Sequence, residues 1–233
     1  MITTVLLDAG GVILDESQHE EVRFKIATGI LADVSPGYSE NDLRRDLDEA
    51  IAVFCPRVLA YAVWKQVKPD CGLFDRLMEA FRNEWAARRP PLKIMPGFER
   101  EIAGISDRFQ VGVAGQYGGD LLDLLERENL LNHFTHRFTQ DDFDITKPDP
   151  RYLERIAVAC GTKPSECIMV GDRIDNDVIP AKQVGMKVVL VRGGLHRRQI
   201  PRTPYEIPDG DIIGIKGLAE AVALVAAPSA RQM

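Results

Sequence analysis

Cysteine is scarce in this chain and forms no pattern. The four present, Cys55, Cys71, Cys160 and Cys167, never fall in a C-x-x-C pair. That spacing argues against a zinc site and for reduced thiols in a cytoplasmic protein. A basic excess is missing too: 29 Lys and Arg against 35 Asp and Glu leave a net charge of −6, the wrong sign for a nucleic-acid face. No stretch approaches the roughly eighteen unbroken apolar residues of a membrane helix. The opening MITTVLLDAGG has neither a basic start nor a small-residue cleavage site, so it reads as a core strand. Internal repeats are absent, and the Ala-rich tail AAPSARQM is expected to fray. What is left, 45% hydrophobic and 27% charged over 233 residues, is an ordinary globular composition, long enough for one large domain or for a core with a satellite.

Two textures divide the chain. Short apolar runs of β type occur at 4–7, 110–114, 134–139, 167–170 and 187–191. Amphipathic helical patterns separate the later ones: PGFEREIAGIS, GGDLLDLLERENLL, DPRYLERIAVAC closed by Gly161, and NDVIPAKQV closed by Gly185. Strands that are apolar throughout and alternate with helices predict an α/β fold, a parallel sheet covered on both faces. Residues 16–91 differ, being helical without a convincing strand. SENDLRRDLDEAIAVFCPRVLAYAVWKQV opens with Ser39 and Asp42 spaced as a capping box, and GLFDRLMEAFRNEWAARR follows. The expected organisation is an α/β core of residues 1–15 and 92–233, interrupted by a small all-helical domain. Ligands of open parallel sheets bind at the carboxyl ends of the strands. The insertion leaves from that edge, where it is placed to act as a lid.

Several chemically capable residues stand at those strand ends. The first strand delivers Asp8. VGVAGQYGG delivers Gly115 and Gln116, DITKPDP delivers Lys147, and IMVGDRIDNDV delivers Asp172, Asp175 and Asp177. Acids converging on one edge repel one another, so a cation or a lysine belongs to the design. Carboxylates and carbonyls suit a hard ion such as Mg²⁺ better than zinc. Asp175 reads as a helix cap without further role.

Together VLLDAGGVIL, KPDPRYLE and VGDRIDNDVIPAKQVGM resemble, in order, the motifs of the haloacid dehalogenase (HAD) superfamily of hydrolases, mostly phosphatases. The resemblance implies a Rossmann-like, HAD-type core with a helical cap after the first motif. It makes Asp8 the nucleophile that becomes an aspartyl-phosphate, and the Gly10 carbonyl and Asp172 its partners in holding Mg²⁺. Asp177 stands behind them, and Lys147 neutralises the nucleophile and the transferring phosphoryl group. The implied partner is a small phosphorylated substrate, with no nucleic acid and no membrane, in a monomer or homodimer. Two positions depart from the family pattern. Gly10 replaces the aspartate that protonates the leaving alcohol, a function worth about 10²–10⁴ in rate. Gly115 replaces a Ser or Thr that contacts the phosphoryl group, for which the Gln116 amide could substitute. A good leaving group would need no acid; alternatively Asp15, Glu16 or His19, just downstream, could supply the proton. Two further readings stay open: a phosphonate hydrolase using one of Lys25, Lys65 or Lys68, and a non-catalytic binder of phospho-ligands or proteins. His19 otherwise reads as a surface residue, and Trp64 and Trp85 as core of the helical domain. Arg23 and Arg57 read as a solvated face.

Overall fold

The computed structural model describes residues 1–228; residues 229–233, the end of the Ala-rich tail, lie outside the described residues. Five strands form one sheet: β1 (Thr4–Leu7), β2 (Gln110–Val113), β3 (Cys167–Gly171), β4 (Lys187–Arg192) and β5 (Gly210–Ile213). Their order is β2-β1-β3-β4-β5 and every pairing is parallel. The chain therefore steps from β1 to one side and later returns to its other side. The carboxyl end of β1 lies at the point where strand order reverses, the place where open α/β sheets bind ligands.

The strands run apolar throughout because both faces are covered. Alternate residues Val5, Leu7, Val111, Val113, Ile168, Val170, Val189 and Val191 join one buried cluster. Into it pack α5 (Phe98–Ser106), α6 (Gly119–Arg127) and α9 (Leu218–Ala226). The intervening residues Leu6, Met169, Val188 and Leu190 are equally buried but outside that cluster. They face the side of α7 (Pro150–Ala159) and α8 (Ile179–Gln183), which pack on each other. Gly161 and Gly185 sit just beyond those two helices with φ of 71° and 84°, as their stop positions require.

Two sequence expectations are corrected. The run 134–139 is no strand; it touches the sheet through a single bridge from His136 to Gly112. Its neighbour there is the edge strand β2, and a 3₁₀ turn at Leu131–His133 leads into it, so only one pairing forms. The fifth strand is instead β5, whose short GDII sequence alternates in burial as an edge strand does.

The chain falls into two compact units, Met1–Asp15 with Leu92–Met233, and Glu16–Pro91. The second unit holds only helices: α1 (Ser17–Val34), α2 (Glu40–Ala52), α3 (Val58–Val67) and α4 (Cys71–Arg88). Ser39 and Asp42 form the reciprocal capping box of α2, and the chain breaks between α2 and α3 around Pro56. Its interior is built on Phe24, Ile26, Leu31, Leu43, Leu47, Ile51 and Val63. One carboxylate is buried among them. Asp46, 1% exposed, accepts hydrogen bonds from the Tyr38 hydroxyl, Lys65 Nζ and Gln66 Nε2, each at 2.8 Å. Burial and the Asp46 carboxylate raise the Tyr38 phenol well above its ordinary value. Hydrogen bonds to Asp46 and Glu49 likewise raise the Lys65 ammonium. No helix among the described residues is long and apolar enough to cross a membrane, and all four cysteines are free thiols.

Replacing Asp46 with Ala strands three donors at once. Asp46→Ala is expected to destabilise the helical unit by about 2–3 kcal/mol, which urea unfolding would register as a lower midpoint at unchanged m-value. An unchanged midpoint would mean that water satisfies the three donors equally well.

Candidate active site

The site is assembled from the ends of two strands, β1 and β3, and from the loop before α7. Asp8 follows β1 directly, and its backbone N–H donates to the Val170 carbonyl at 2.8 Å, continuing the β1–β3 ladder one residue past the strand. Asp172 follows β3. Asp177 lies in the π-helical turn Ile174–Val178 that precedes α8. Lys147 comes from the loop before α7 and is brought in across 139 residues of chain to Asp8 and 30 to Asp177.

Lys147 is the centre of the arrangement. Its side chain is fully buried, and its Nζ donates to Asp8 Oδ1 at 2.7 Å and to Asp177 Oδ1 at 2.5 Å. Burial alone would push this ammonium's pKa down. The Asp177 and Asp8 carboxylates together overturn that and hold it above the ordinary lysine value, so Lys147 stays charged at neutral pH. The Asp177 carboxyl is raised as well: burial lifts it to about 6, with Lys147 opposing. Its second oxygen, Oδ2, accepts the backbone N–H of Arg173 at 3.1 Å. Both Asp177 oxygens are thus engaged by protein donors.

One backbone position makes room for this carboxylate. A Cβ on Gly171 would lie 2.3 Å from Asp177 Cγ, so only glycine fits at the end of β3.

Asp8, Asp172 and Asp177 each present an oxygen within 4.8 Å of the others. Three carboxylates against one lysine leave a local excess of negative charge, which a further cation would relieve. The donors are hard oxygens without sulfur or imidazole, a set that fits Mg²⁺. Since Lys147 and Arg173 occupy Asp177, the oxygens of Asp8 and Asp172 are the better placed to hold an ion, with Asp177 behind them.

Residues 145–213, which include Lys147, Asp172 and Asp177, match the family described as HAD-hydrolase-like. A glyceraldehyde 3-phosphate phosphatase of Methanopyrus kandleri is 25% identical over 95% of this chain and 97% of its own. These similarities support a haloacid dehalogenase-like hydrolase. The fold agrees. The structure of a predicted phosphoglycolate phosphatase from Haemophilus somnus superposes with a TM-score of 0.67 at 16% identity, covering 95% of this chain and 98% of the other. The HAD-hydrolase YfnB of Bacillus subtilis, solved bound to magnesium, gives a TM-score of 0.63 at 14% identity, covering 97% and 99%.

Set within that family, the two unusual glycines have different physical standing. Gly10 leaves the loop after Asp8 without a proton-carrying side chain. Gly115 is sterically required: a Cβ there would lie 2.5 Å from Ala9 Cβ and 2.7 Å from the Ala9 backbone nitrogen. The Gln116 amide does not stand free in place of a hydroxyl. Its Nε2 donates to the Lys147 carbonyl at 3.3 Å, while the Tyr152 hydroxyl donates to the Gly115 carbonyl at 3.3 Å. These two bonds tie the loop after β2 to the loop that carries Lys147 and to α7 behind it. Tyr152 is 1% exposed, and burial pushes its phenol up to about 12, so it acts as a fixed donor.

The downstream proton candidates are placed as follows. Asp15 has its backbone N–H on the Lys93 carbonyl at 3.0 Å. Glu16 caps α1 by position and lies 3.7 Å from Arg23. His19 is corrected from surface to interior: it is 4% exposed, its Nε2 meets the Pro90 carbonyl at 2.9 Å, and its ring stands edge-on to Trp85. The Arg23 guanidinium lies over that same Trp85 ring, and Trp64 packs edge-on to Phe74. Of the lysines a phosphonate hydrolase would need, Lys25 is paired to Glu21 and Lys65 to Asp46 and Glu49. Asp175 is no mere cap, since Arg173 Nε and Gln199 Nε2 both donate to its Oδ1, at 3.2 and 2.6 Å. Sequence reading passed over Tyr152, Arg173 and Gln199. Tyr152 stands five positions after Lys147 on the buried face of an amphipathic helix, so periodicity marks it as core. No local signal marks Gln199.

Because the Ala9 backbone closes off the space at 115, restoring a hydroxyl there should not restore function. Gly115→Ser is expected to lower both the melting temperature and the turnover. Adding Ala9→Gly should recover part of the stability. Increased turnover in Gly115→Ser alone would show that the loop yields at little cost.

Proposed function

We propose that the protein is a Mg²⁺-dependent phosphatase of small phosphorylated metabolites, working through an aspartyl-phosphate on Asp8. The observation that carries this reading is the buried Lys147 held between Asp8 and Asp177, with Asp172 alongside. Phosphoryl transfer needs positioning and charge neutralisation more than bond-making by the protein, and this cluster is built for both. The phosphatase similar over nearly the whole chain supports the substrate class, and the magnesium-bound relative of the same fold supports the ion.

In this reading a carboxylate oxygen of Asp8 attacks phosphorus while the bond from phosphorus to the ester oxygen breaks. Water then attacks the acyl phosphate, releasing inorganic phosphate and regenerating the Asp8 carboxylate. Lys147 holds Asp8 in place, and its fixed positive charge offsets charge on the phosphoryl oxygens. Being held protonated, it is no proton donor at neutral pH. Asp177 keeps Lys147 charged and aimed. Asp8, Asp172 and the Gly10 carbonyl would hold the ion, which would supply the remaining positive charge. The four free thiols suit a reducing cytoplasm.

Gly10 gives the proposal a specific character. Without an acid beside the nucleophile, the leaving oxygen departs largely unprotonated, so substrates with acidic leaving groups are favoured. Asp8→Asn and removal of Mg²⁺ by chelation are each expected to cut p-nitrophenyl phosphate turnover by about a thousandfold or more. Retained turnover in folded Asp8→Asn protein would refute the nucleophile. No turnover and no beryllofluoride adduct in the wild type, with Mg²⁺ bound, would favour a phospho-ligand binder.

Across a series of aryl and alkyl phosphates, kcat/KM should fall steeply as leaving-group pKa rises. Gly10→Asp is expected to flatten that slope and raise the alkyl rates by about 10²-fold. A flat slope in the wild type would mean that another group already delivers the proton.

A further inference from the structure

Beyond the strand-end carboxylates, the same edge of the sheet carries a second polar assembly. Gln199, 2% exposed, lies in the loop after β4 and uses both ends of its amide on the acidic turn. Its Oε1 accepts the Ile174 backbone N–H at 2.6 Å, and its Nε2 donates to Asp175 Oδ1 at 2.6 Å. Asp175 is also gripped by the Arg173 guanidinium. From behind, Arg192 Nη1 donates to the Gln199 carbonyl at 2.8 Å and to the Arg197 carbonyl at 3.2 Å. The same Arg192 pairs with Asp211 of β5 through Nε at 2.7 Å and Nη2 at 2.8 Å. A continuous chain of hydrogen bonds therefore runs from the sheet edge through Arg192 and Gln199 to the turn between Asp172 and Asp177. From Arg173 N–H it passes through Asp177 and Lys147 to Asp8.

We propose that Gln199 is a positioning residue for the cation site, locking the turn 173–177 so that Asp172 and Asp177 stay aligned with Asp8. The inference rests on the Mg²⁺-dependent reading above. Its physical basis is that like-charged carboxylates repel and spread unless their backbone is held. Ile174 and Asp175 lie between the two acids, and Gln199 holds both from outside the turn. Groups that orient metal ligands from behind typically set affinity by 10–100-fold. Arg173 alone does not suffice, since it belongs to the turn and moves with it.

The test is Mg²⁺ binding to the metal-free protein, measured by isothermal titration calorimetry for wild type and Gln199→Met. The methionine fills a similar volume and removes both hydrogen bonds. A Kd for Mg²⁺ about tenfold or more weaker in Gln199→Met, with an unchanged circular dichroism spectrum, is the expected result. An equal Kd, within twofold, in the folded variant would overturn the role of Gln199. No Mg²⁺ binding by the wild type would overturn the underlying metal-dependent reading instead, so the two failures are distinct. Should Gln199→Met not fold, Arg192→Lys keeps a charge against Asp211 but cannot span both loop carbonyls. A Kd weakened severalfold there supports the proposal, and an unchanged one overturns it.

Discussion

A fully buried ammonium is among the more expensive groups a protein can carry, and Lys147 is one. Taking a charge of that size out of water costs several kcal/mol after relaxation, recovered only when counter-charges sit at hydrogen-bond distance. Asp8 and Asp177 provide them, at 2.7 and 2.5 Å. That requirement propagates outward. Asp177 can come so close only because Gly171 has no Cβ. Asp8 is held in register because its N–H extends the β1–β3 ladder. Asp8, the proposed nucleophile, is from the standpoint of folding one of the counter-ions that let the lysine be buried.

The remaining polar groups on this edge keep that triad from relaxing. On one side, Tyr152 and Gln116 tie the loop after β2 to the segment bearing Lys147. On the other, Arg192 and Gln199 tie the acidic turn to β4 and β5. Strand ends are loops, and loops are the least rigid part of a sheet. Cross-linking them by buried hydrogen bonds gives an electrostatic site its preorganisation, the source of most of its catalytic value.

Against this framework the two family departures separate cleanly. Gly115 follows from close packing, because its neighbour Ala9 occupies the space a side chain would need. Gly10 bears on the proposed chemistry instead, since it leaves no proton-carrying side chain at that position of the loop after Asp8. Local geometry thus explains one departure, and the other enters only through the proposed chemistry.

Much of the architecture was legible in the residues because its signals are local. Continuous apolar runs bounded by glycine specify strands covered on both faces, and the Ser39–Asp42 spacing specifies a helix start. The segments around Asp8, Lys147 and Asp172–Asp177 are short and ordered, so the family and its acidic cluster could be read directly. The run 134–139 misled because apolar β-type composition does not say whether a partner strand is available, and here one bridge to β2 is all there is. Which acid pairs with Lys147, that Gln116 spends its amide on a carbonyl, that His19 is interior, and that Gln199 reaches the acidic turn were decided only by tertiary structure. Each depends on groups tens of residues apart meeting in space. The chain by itself determined which chemistry was present at the strand ends. Only the packing of those ends against one another decided which groups are committed to holding the site and which are left to react, because burial and hydrogen-bond distance are properties of neighbours that sequence does not place.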